Sequence, residues 1–292
     1  MEVAALIISG AVTLPKLFRV VADCYGLIEL GRNFENDFGQ CRLKIDVLQN
    51  RLVRWSEAVD LHNNPRFNED STDADKEVKK THRLLNEIGD HLRTAIRATD
   101  NYEADRDPDA VEPKCMEAGD LQPAEKRLHT HLRDRIHHRL NRMTKHAGAV
   151  VNKAKWVIYK ADQLGKLIKE SAELIDQLEN LWPVKDDYEK LVKADIEDVK
   201  ETEVLKVLHE AARSVDEALA EKAMASLLPG AVNRNWLRKA TLSEDGFLHV
   251  GNTVTNMTAS GLVNESDELV IKGSSRMHIG NQYGHRGMWE SK

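Results

Sequence analysis

The chain has 292 residues, with 42 Lys and Arg against 48 Asp and Glu, so its formal net charge is −6. This acidic balance predicts no nucleic-acid partner, and 31% charged with only 5% aromatic residues is typical of helices with charged surfaces. Three cysteines, Cys24, Cys41 and Cys115, cannot all pair and match no metal motif, which favours a reduced, cytoplasmic protein without a cofactor.

The N-terminal segment is apolar and free of charge from Val3 to Leu14. Glu2 stands where a secretory signal would carry a cation, so we do not expect a cleaved signal. A spanning helix needs about 20 apolar residues, and the charged residue Lys16 follows soon after this stretch. The residues by themselves therefore favour a helix buried in a bundle.

Five later stretches carry apolar residues spaced three and four apart, the pattern of amphipathic helices. They are residues 38–59, 78–96, 128–143, 157–182 and 204–223. The acidic stretch 100–122 lacks this pattern and is interpreted as a loop, and Pro229-Gly230 is expected to end the last helix. Short connections between long amphipathic helices predict an all-α bundle over residues 1–230.

The stretch 123–146 is unusually basic, with seven Lys or Arg, two acids and five histidines. We favour a solvated face balanced by acidic neighbours; the alternative is a surface that attracts anionic lipid or an acidic partner. No two of these histidines lie four apart, so a shared metal-binding face is not expected.

Enzyme motifs are poorly represented. The run from His209 to Arg213 nearly matches the zinc-protease motif, but Arg213 stands where the second metal ligand belongs. No phosphate-binding glycine-rich loop or nucleophile motif stands out either. The sequence therefore predicts a protein that is not an enzyme.

The last part of the chain contains a repeat: residues 235–255 align with 264–284 at a constant offset of 29. Asparagines, aliphatic residues and one cation–anion pair coincide. The aligned pairs are Asn235 with Asn264, Arg238 with Asp267, Leu242 with Ile271, Leu248 with Met277, Val250 with Ile279, and Asn252 with Asn281. Stacked parallel strands need such pairings, since each side chain sits about 4.7–4.8 Å above its equivalent. The alternative is a disordered polar tail with a chance duplication.

Colinear stretches in both parts of the chain resemble the fungal HET-s/HET-S family. In the helical part they include Arg51-Leu52-Val53-Arg54-Trp55-Ser56-Glu57-Ala58-Val59 and Leu178-Glu179-Asn180-Leu181-Trp182-Pro183. In the tail they are Gly280-Asn281-Gln282-Tyr283-Gly284 and Gly287-Met288-Trp289. The resemblance implies a HeLo-type helical bundle over residues 1–230. It also implies a prion-forming domain over 231–292, disordered as a monomer, that becomes a two-layer β-solenoid amyloid.

The function implied by the resemblance is amyloid-triggered cell death in heterokaryon incompatibility. In that family an amyloid template converts the tail, the bundle is disturbed, and toxic members release an N-terminal helix into the membrane. Implied partners are the protein itself (fibril or HeLo dimer), homologous prion-forming domains, an NLR-type receptor with a matching amyloid motif, and the membrane on activation. The implied location is cytoplasmic, with relocation to the cell membrane. The alternative is a non-toxic prion or an oligomerising helical scaffold without membrane activity.

The resemblance also assigns candidate residues. Asparagine ladders match Asn235, Asn264, Asn252 and Asn281, and an inter-layer salt bridge matches Arg238 and Asp267. Amyloid core positions match Leu242, Leu248, Val250, Ile271, Met277 and Ile279, and a C-terminal loop matches Tyr283, Met288 and Trp289. Allele-specificity positions match Asp23 and Asn33. The membrane segment matches Val3, Leu6, Ile7, Ile8, Val12 and Leu14.

Overall fold

The computed structural model describes residues 13–31, 34, 37–68, 75–104, 115–143, 156–227, 233–250, 253–254, 262–279 and 282–283. The chain divides into two units, which we call the helical unit (Met1–Met224) and the tail unit (Ala225–Lys292).

Nine α-helices lie within the described residues, which confirms the predicted all-α bundle. They are α1 (Leu14–Tyr25), α2 (Phe38–Ala58), α3 (Pro65–Asn68), α4 (Lys76–Ala104), α5 (Pro123–Met143), α6 (Ala161–Leu181), α7 (Lys185–Glu197), α8 (Thr202–Ala212) and α9 (Glu217–Leu227). A 3₁₀ turn, Ala118–Asp120, precedes α5.

The centre of the helical unit is α2, which packs against α1, α5, α6, α7 and α8. Its apolar residues Leu48, Leu52 and Trp55 are fully buried, because the three-and-four spacing places them on a common side of the helix. The helix also buries polar residues on other sides, and this follows from its having neighbours nearly all round. The core of the unit is therefore built around one helix.

A two-stranded parallel sheet in the helical unit pairs two segments that lie far apart in the sequence. Strand β1 (Ile28–Leu30) pairs with β2 (Trp156–Ile158), with Ile28 opposite Trp156. Gly31 directly follows β1, and a Cβ atom there would overlap the ring of Tyr159. Glycine is therefore required at position 31 by close packing.

Three predicted boundaries were wrong. The stretch that begins at Val157 is not one helix, since Val157 lies in β2 and α6 starts at Ala161. The stretch 204–223 forms two helices, α8 and α9, with a turn between them. Helix α4 also continues to Ala104, into the stretch interpreted as a loop.

The tail unit contains three parallel strand pairs. Strand β3 (Asn233–Leu242) pairs with β6 (Leu262–Ile271), β4 (Phe247–Val250) with β7 (Arg276–Ile279), and β5 (Thr253–Val254) with β8 (Gln282–Tyr283). Every registered pair differs by 29 positions, the offset of the sequence repeat; Asn233 opposite Leu262 is an example. The family resemblance implied a tail that is disordered as a monomer and becomes a two-layer β-solenoid amyloid, and both parts of that call stay predictions. In the structure the two copies pair within one chain, which is possible because both belong to the same molecule.

The turns of the two copies are alike. Glu244 has φ 61° and Gly273, its equivalent 29 residues later, has φ 68°, so both adopt the left-handed conformation. The second turn lies on the first: the Ser275 hydroxyl donates to the Glu244 carbonyl at 3.0 Å, and the Lys272 amide donates to the Leu242 carbonyl at 2.8 Å. The stacking therefore extends from the strands into the turns.

Candidate functional sites of the helical unit and the tail

A buried charged cluster holds the helices around α2 together. The Arg54 guanidinium, with no exposed surface, forms ion pairs with Asp195 of α7 at 2.8 Å and with Asp216 at 2.5 Å. Arg139 of α5 approaches the other oxygen of Asp195 at 2.7 Å. Burial alone would lower the pKa of Arg54, but Asp216, Tyr188 and Asp195 raise it well above its ordinary value. Arg54 and Arg139 are thus both paired with carboxylates, and the cluster has a structural role: it connects α2, α5 and α7.

The same cluster fixes the start of α9. One oxygen of Asp216 pairs with Arg54, and the other accepts a hydrogen bond from the Leu219 amide at 3.1 Å, which caps the helix. Arg51 donates to the Val215 carbonyl at 2.8 Å. Two arginines of α2 therefore hold the α8–α9 turn. Helix α9 ends at Leu227, shortly before β3 begins at Asn233.

The basic helix α5 is largely neutralised by acidic neighbours, in agreement with the interpretation we favoured. Arg135 lies 2.7 Å from Asp198, and Arg139 lies 2.8 Å from Glu57. Further pairs join Arg127 to Glu201 and Arg142 to Glu57. Most of its arginines are thus already paired within the chain, which weakens the case for a broad lipid-binding face.

A separate buried carboxylate lies between α2 and α5. Asp46 has no exposed surface; Arg42 approaches one of its oxygens at 2.8 Å and His129 Nδ1 approaches the other at 2.6 Å. Burial works to raise the pKa of Asp46, but Arg42 and His129 outweigh it and hold that pKa below its usual value. The carboxylate is therefore kept ionised while it ties α5 to α2.

The near-motif at His209 is structural. His209 is buried in α8, and its Nδ1 donates to the Ala220 carbonyl of α9 at 3.0 Å. Across the described residues, no group of three His, Cys, Asp or Glu is placed to hold a metal ion.

The described end of the proposed membrane segment is packed inside the bundle. Leu14 is 1% exposed at the start of α1, which packs on α2, α3 and α4. Val3, Leu6, Ile7, Ile8 and Val12 lie outside the described residues. No described helix combines the length and apolar character needed to cross a membrane.

One of the two allele-specificity candidates is described. Asp23 forms an ion pair with Arg19 at 2.7 Å, one turn earlier on α1. Arg19 in turn donates to the Leu140 carbonyl of α5 at 3.3 Å. Asp23 therefore contributes to the contact between α1 and α5. Asn33 lies outside the described residues, and the specificity roles of both stay predictions.

The structure places several tail candidates opposite each other in the strand register. Asn235 is opposite Asn264. The aliphatic pairs are Leu242 with Ile271, Leu248 with Met277, and Val250 with Ile279. Arg238 lies in β3 and Asp267 in β6, and the flanking pairs, Leu237 with Ser266 and Lys239 with Glu268, keep the same offset. Tyr283 is opposite Val254. Asn252, Asn281, Met288 and Trp289 lie outside the described residues. The roles of all these residues stay predictions.

The tail leaves apolar surface uncovered. Among the described residues, the exposed large hydrophobic side chains are Phe247, Ile271 and Ile279, at 59%, 51% and 42%, and all three belong to the tail. In two registered pairs the first-copy member is buried, Leu242 at 8% and Val250 at 7%, whereas its second-copy partner is exposed. One surface of the second copy is therefore open.

Sequence reasoning did not find the Arg54–Asp195–Asp216 cluster. The available signal was the position of Arg51 and Arg54 inside the apolar stretch 38–59. Charged residues in a helix that is buried on most sides indicate buried ion pairs. Their acidic partners lie more than 120 residues away, and no local pattern identifies them.

Comparisons with known proteins cover both units. The HeLo family model, described as "Prion-inhibition and propagation", matches residues 7–208. Heterokaryon incompatibility proteins s and S of Podospora anserina are each 30% identical over 292 residues, covering 98% of this chain and 98% of the relative. The solved HET-s N-terminal domain matches with a TM-score of 0.69 at 29% identity, covering 74% of this chain and 98% of that one. A doubly substituted form of that domain gives 0.68 at 28% identity, with the same coverage.

Proposed function

Because the chain belongs to the HeLo family, whose members are non-enzymatic incompatibility proteins, we propose that it acts in fungal heterokaryon incompatibility as an amyloid-triggered cell-death protein. The tail receives a conformational signal by strand templating, and the helical unit delivers the output at a membrane. The signal is mechanical, so no catalytic step is required.

The observation that carries the proposal is the one-sided exposure of the tail. The parallel pairs stack the two copies, yet Ile271 and Ile279 of the second copy remain half exposed. Their first-copy equivalents, Leu242 and Val250, are buried. A further copy placed at the same offset would cover the exposed pair with aliphatic residues of its own. Fully burying an exposed side chain of this size is worth roughly 1.5–3 kcal/mol. Covering the exposed half of each isoleucine gains part of that value, so each added molecule gains from stacking.

Backbone hydrogen bonds would add to this gain. Strands at the end of a stack present unpaired N–H and C=O groups, which template the next chain. Asn235 and Asn264 are already opposite each other in the register, and Asn252 with Asn281 would form a second ladder of amides. The tail would thus extend as a two-layer β-solenoid amyloid in which each molecule supplies both layers.

Helix α9 is the proposed link from tail to bundle. Its first residues are held to α2 by Arg54, Arg51 and the cap at Asp216. Its last residue, Leu227, is separated from β3 by only five residues, 228–232. Ordering of the tail into a fibril would place tension on this short connection. Loosening of the Arg54–Asp216 contact would then disturb the core around α2 and the packing of α1.

The proposed output is membrane disruption by the N-terminal segment. Leu14, Phe18 and Val21 of α1 are buried in the resting bundle, so the segment is withheld until the bundle opens. Val3, Leu6, Ile7, Ile8 and Val12 would supply the apolar part that enters lipid. The protein would be cytoplasmic at rest and would move to the cell membrane on activation. Its triggers would be its own fibrils, homologous prion-forming domains, or an NLR-type receptor with a matching amyloid motif.

The test is dye release from anionic vesicles that are mixed with full-length protein, with and without preformed fibrils of the same protein as seed. We expect release that depends on the seed. Ile271→Lys should abolish seeding, because the charge occupies the surface that a further copy must cover. Ser274→Lys, at an exposed turn position three residues away, is the matched control and should convert normally. An added Ile8→Asp variant should form fibrils without release.

Two results would redirect the proposal. Fibril formation without dye release would identify a non-toxic prion or an oligomerising scaffold. Asn33, a candidate allele-specificity position, would then be the first residue to substitute. Dye release that Ile8→Asp leaves intact would show that the N-terminal segment is not the membrane effector.

A further inference from the structure

A cavity of about 420 Å³ lies in the helical unit, between the α1–β1 connection, the start of α2, residues 115–118 and α5. Its ionisable lining consists of Arg42, His129, Arg133, Glu29, Glu117 and Cys115, and apolar residues such as Ile28 and Phe38 form the remaining wall. Cavities that bind small organic ligands have volumes of roughly 300–1,000 Å³. The space is therefore suited to an organic molecule and is larger than a bare ion requires.

Most charges around this cavity are already matched. Asp46, buried behind the lining, takes Arg42 on one oxygen and His129 on the other. The Glu117 side chain accepts a backbone hydrogen bond at the 3₁₀ turn, and Glu29 has an interaction partner within the chain. Both acids of the lining have partners within the chain, and the cation of the lining that has no carboxylate of the described residues at ion-pair distance is Arg133.

Arg133 is the exception among the arginines of α5. Its Nη1 donates to the Gln49 side-chain oxygen at 3.0 Å, and no carboxylate of the described residues lies within ion-pair distance. Burial lowers the pKa of Arg133 despite the attraction of Asp46, so its charge is poorly compensated. Arg127, Arg135, Arg139 and Arg142 of the same helix all meet carboxylates.

The position of Arg133 is fixed in advance. Gln49, which holds its Nη1, is 2% exposed and itself donates to the Ala22 carbonyl at 2.9 Å. Gly26 lies close by, and a Cβ atom there would approach the two terminal guanidinium nitrogens at 3.1 and 3.3 Å. The absence of a side chain at Gly26 therefore lets the guanidinium lie against the α1–β1 connection. Arg42, also in the lining, has a buried Nε–H without an acceptor in the described part of the chain.

We infer that this cavity binds a small organic phosphate, with its phosphate on Arg133. The guanidinium fork matches phosphate oxygens in a bidentate manner, and a phosphate keeps a further oxygen for a second donor such as Arg42. The apolar wall would contact the organic part. Either a soluble phosphorylated metabolite or the headgroup of a phosphorylated lipid has this chemistry. The inference concerns the resting helical unit and does not depend on conversion of the tail.

The test is calorimetric titration of the full-length protein with inositol trisphosphate and, separately, with inorganic phosphate at matched ionic strength. We expect saturable binding of inositol trisphosphate at one site. Arg133→Gln should weaken it by at least about tenfold, since it removes a charge-assisted pair. Arg135→Gln, which removes an equal charge two residues along the same helix, should change it by less than about twofold.

A second variant, Gly26→Ala, tests the same site in case Arg133→Gln fails to fold. Gly26 has φ −70°, so alanine is tolerated by the backbone there. Gly26→Ala should keep the thermal midpoint of the unliganded protein and still weaken binding, because the new methyl group displaces the Arg133 guanidinium. The inference is overturned by the absence of saturable binding. It is also overturned if Arg133→Gln and Arg135→Gln weaken binding equally, which would indicate general attraction to a basic helix.

Vesicle flotation then distinguishes the two sources of phosphate. Flotation with vesicles that contain phosphatidylinositol bisphosphate, absent with pure phosphatidylcholine and lost in Arg133→Gln, would support a lipid headgroup. Binding of soluble inositol trisphosphate without flotation would support a soluble metabolite.

Discussion

The helical unit and the tail unit differ in how fully one chain can bury its own apolar residues. In the described helical unit, Trp55, Phe18 and Leu48 are fully buried, and the large exposed hydrophobic side chains of the described chain all lie in the tail. The helical unit is completed by contacts between residues far apart in sequence, whereas the tail pairs two copies of one segment and leaves an outer surface uncovered. The described bundle therefore covers its large apolar side chains within one molecule, whereas the tail leaves Phe247, Ile271 and Ile279 exposed, and we propose that further molecules cover them.

The largest expected loss of stability comes from removing a buried charge, a feature that distinguishes the helical unit from the tail among the described residues. Arg54→Met should destabilise the protein by about 3–5 kcal/mol, because it leaves Asp195 and Asp216 buried without their cation. Urea unfolding followed by helical circular dichroism measures this change. Arg83→Met is the matched control: Arg83 faces Glu87 at 3.5 Å on the exposed side of α4, and its loss should cost about 0.5 kcal/mol or less. Equal losses from both variants would contradict the structural role of the cluster.

A second prediction concerns pH. The pKa of Asp46 is lower in the folded protein than in the unfolded chain, so its contribution is present above about pH 4 and is lost as the pH falls through the folded value. Asp46→Asn should cost about 1.5–3 kcal/mol at pH 7, and the difference from the parent protein should shrink at pH 3. Unfolding by urea at both values measures it.

The control for this pH effect is Asp198→Asn, which alters an exposed carboxylate paired with Arg135. Its effect should be small at both pH values. A difference between Asp46→Asn and the parent that is as large at pH 3 as at pH 7 would show that the ionised carboxylate is not responsible.

Replacing a glycine by alanine should lower the stability of the tail but raise the stability of the helical unit. Gly273→Ala places a methyl group 3.1 Å from the Glu244 carbonyl and forces alanine to φ 68°, so it should weaken the stacked tail by about 1–2 kcal/mol. The soluble concentration left after fibril growth should rise roughly 5–30-fold. Gly165→Ala, in open space on α6, should stabilise the helical unit by about 0.5–1 kcal/mol. Normal fibril growth by Gly273→Ala would rule out the stacked turns.

The smallest predicted effect is a gain in the tail. Glu244 adopts the left-handed conformation in the first copy, where its equivalent in the second copy is glycine. Glu244→Gly should therefore strengthen the stacked tail by about 0.5–1 kcal/mol, visible as a lower soluble concentration after fibril growth. Asp245→Gly, at a neighbour without positive φ, should give no such gain.

Local patterns predicted some elements and missed others for identifiable reasons. Helix α2 was predicted because its apolar residues keep the helical spacing from Phe38 onward. The break between α8 and α9 was not predicted, because the apolar spacing continues across the turn. The break is set by the pairing of Asp216 with Arg54, which lies 162 positions away. Strand β2 likewise forms by pairing Trp156 with Ile28, a distant partner.

The tail was easier to predict in one respect. Parallel stacking places equivalent residues opposite each other, so the repeat offset could be read directly from the sequence and reappears in the register of β3 with β6. The exposure of Ile271 against the burial of Leu242 could not be read in this way, because the two residues occupy equivalent positions in the repeat. The cavity beside Arg133 was also missed, since its lining comes from four separate parts of the chain.

The most direct test of two stacked layers per molecule is the mass per unit length of fibrils grown from the full-length protein, measured by scanning transmission electron microscopy. Two layers per chain, each about 4.7–4.8 Å high, predict one 33.0 kDa chain per ~9.5 Å of fibril, or about 3.5 kDa per Å. A value of about 7 kDa per Å would mean that each chain contributes a single layer. That result would contradict the pairing of the two copies on which the account of the tail rests.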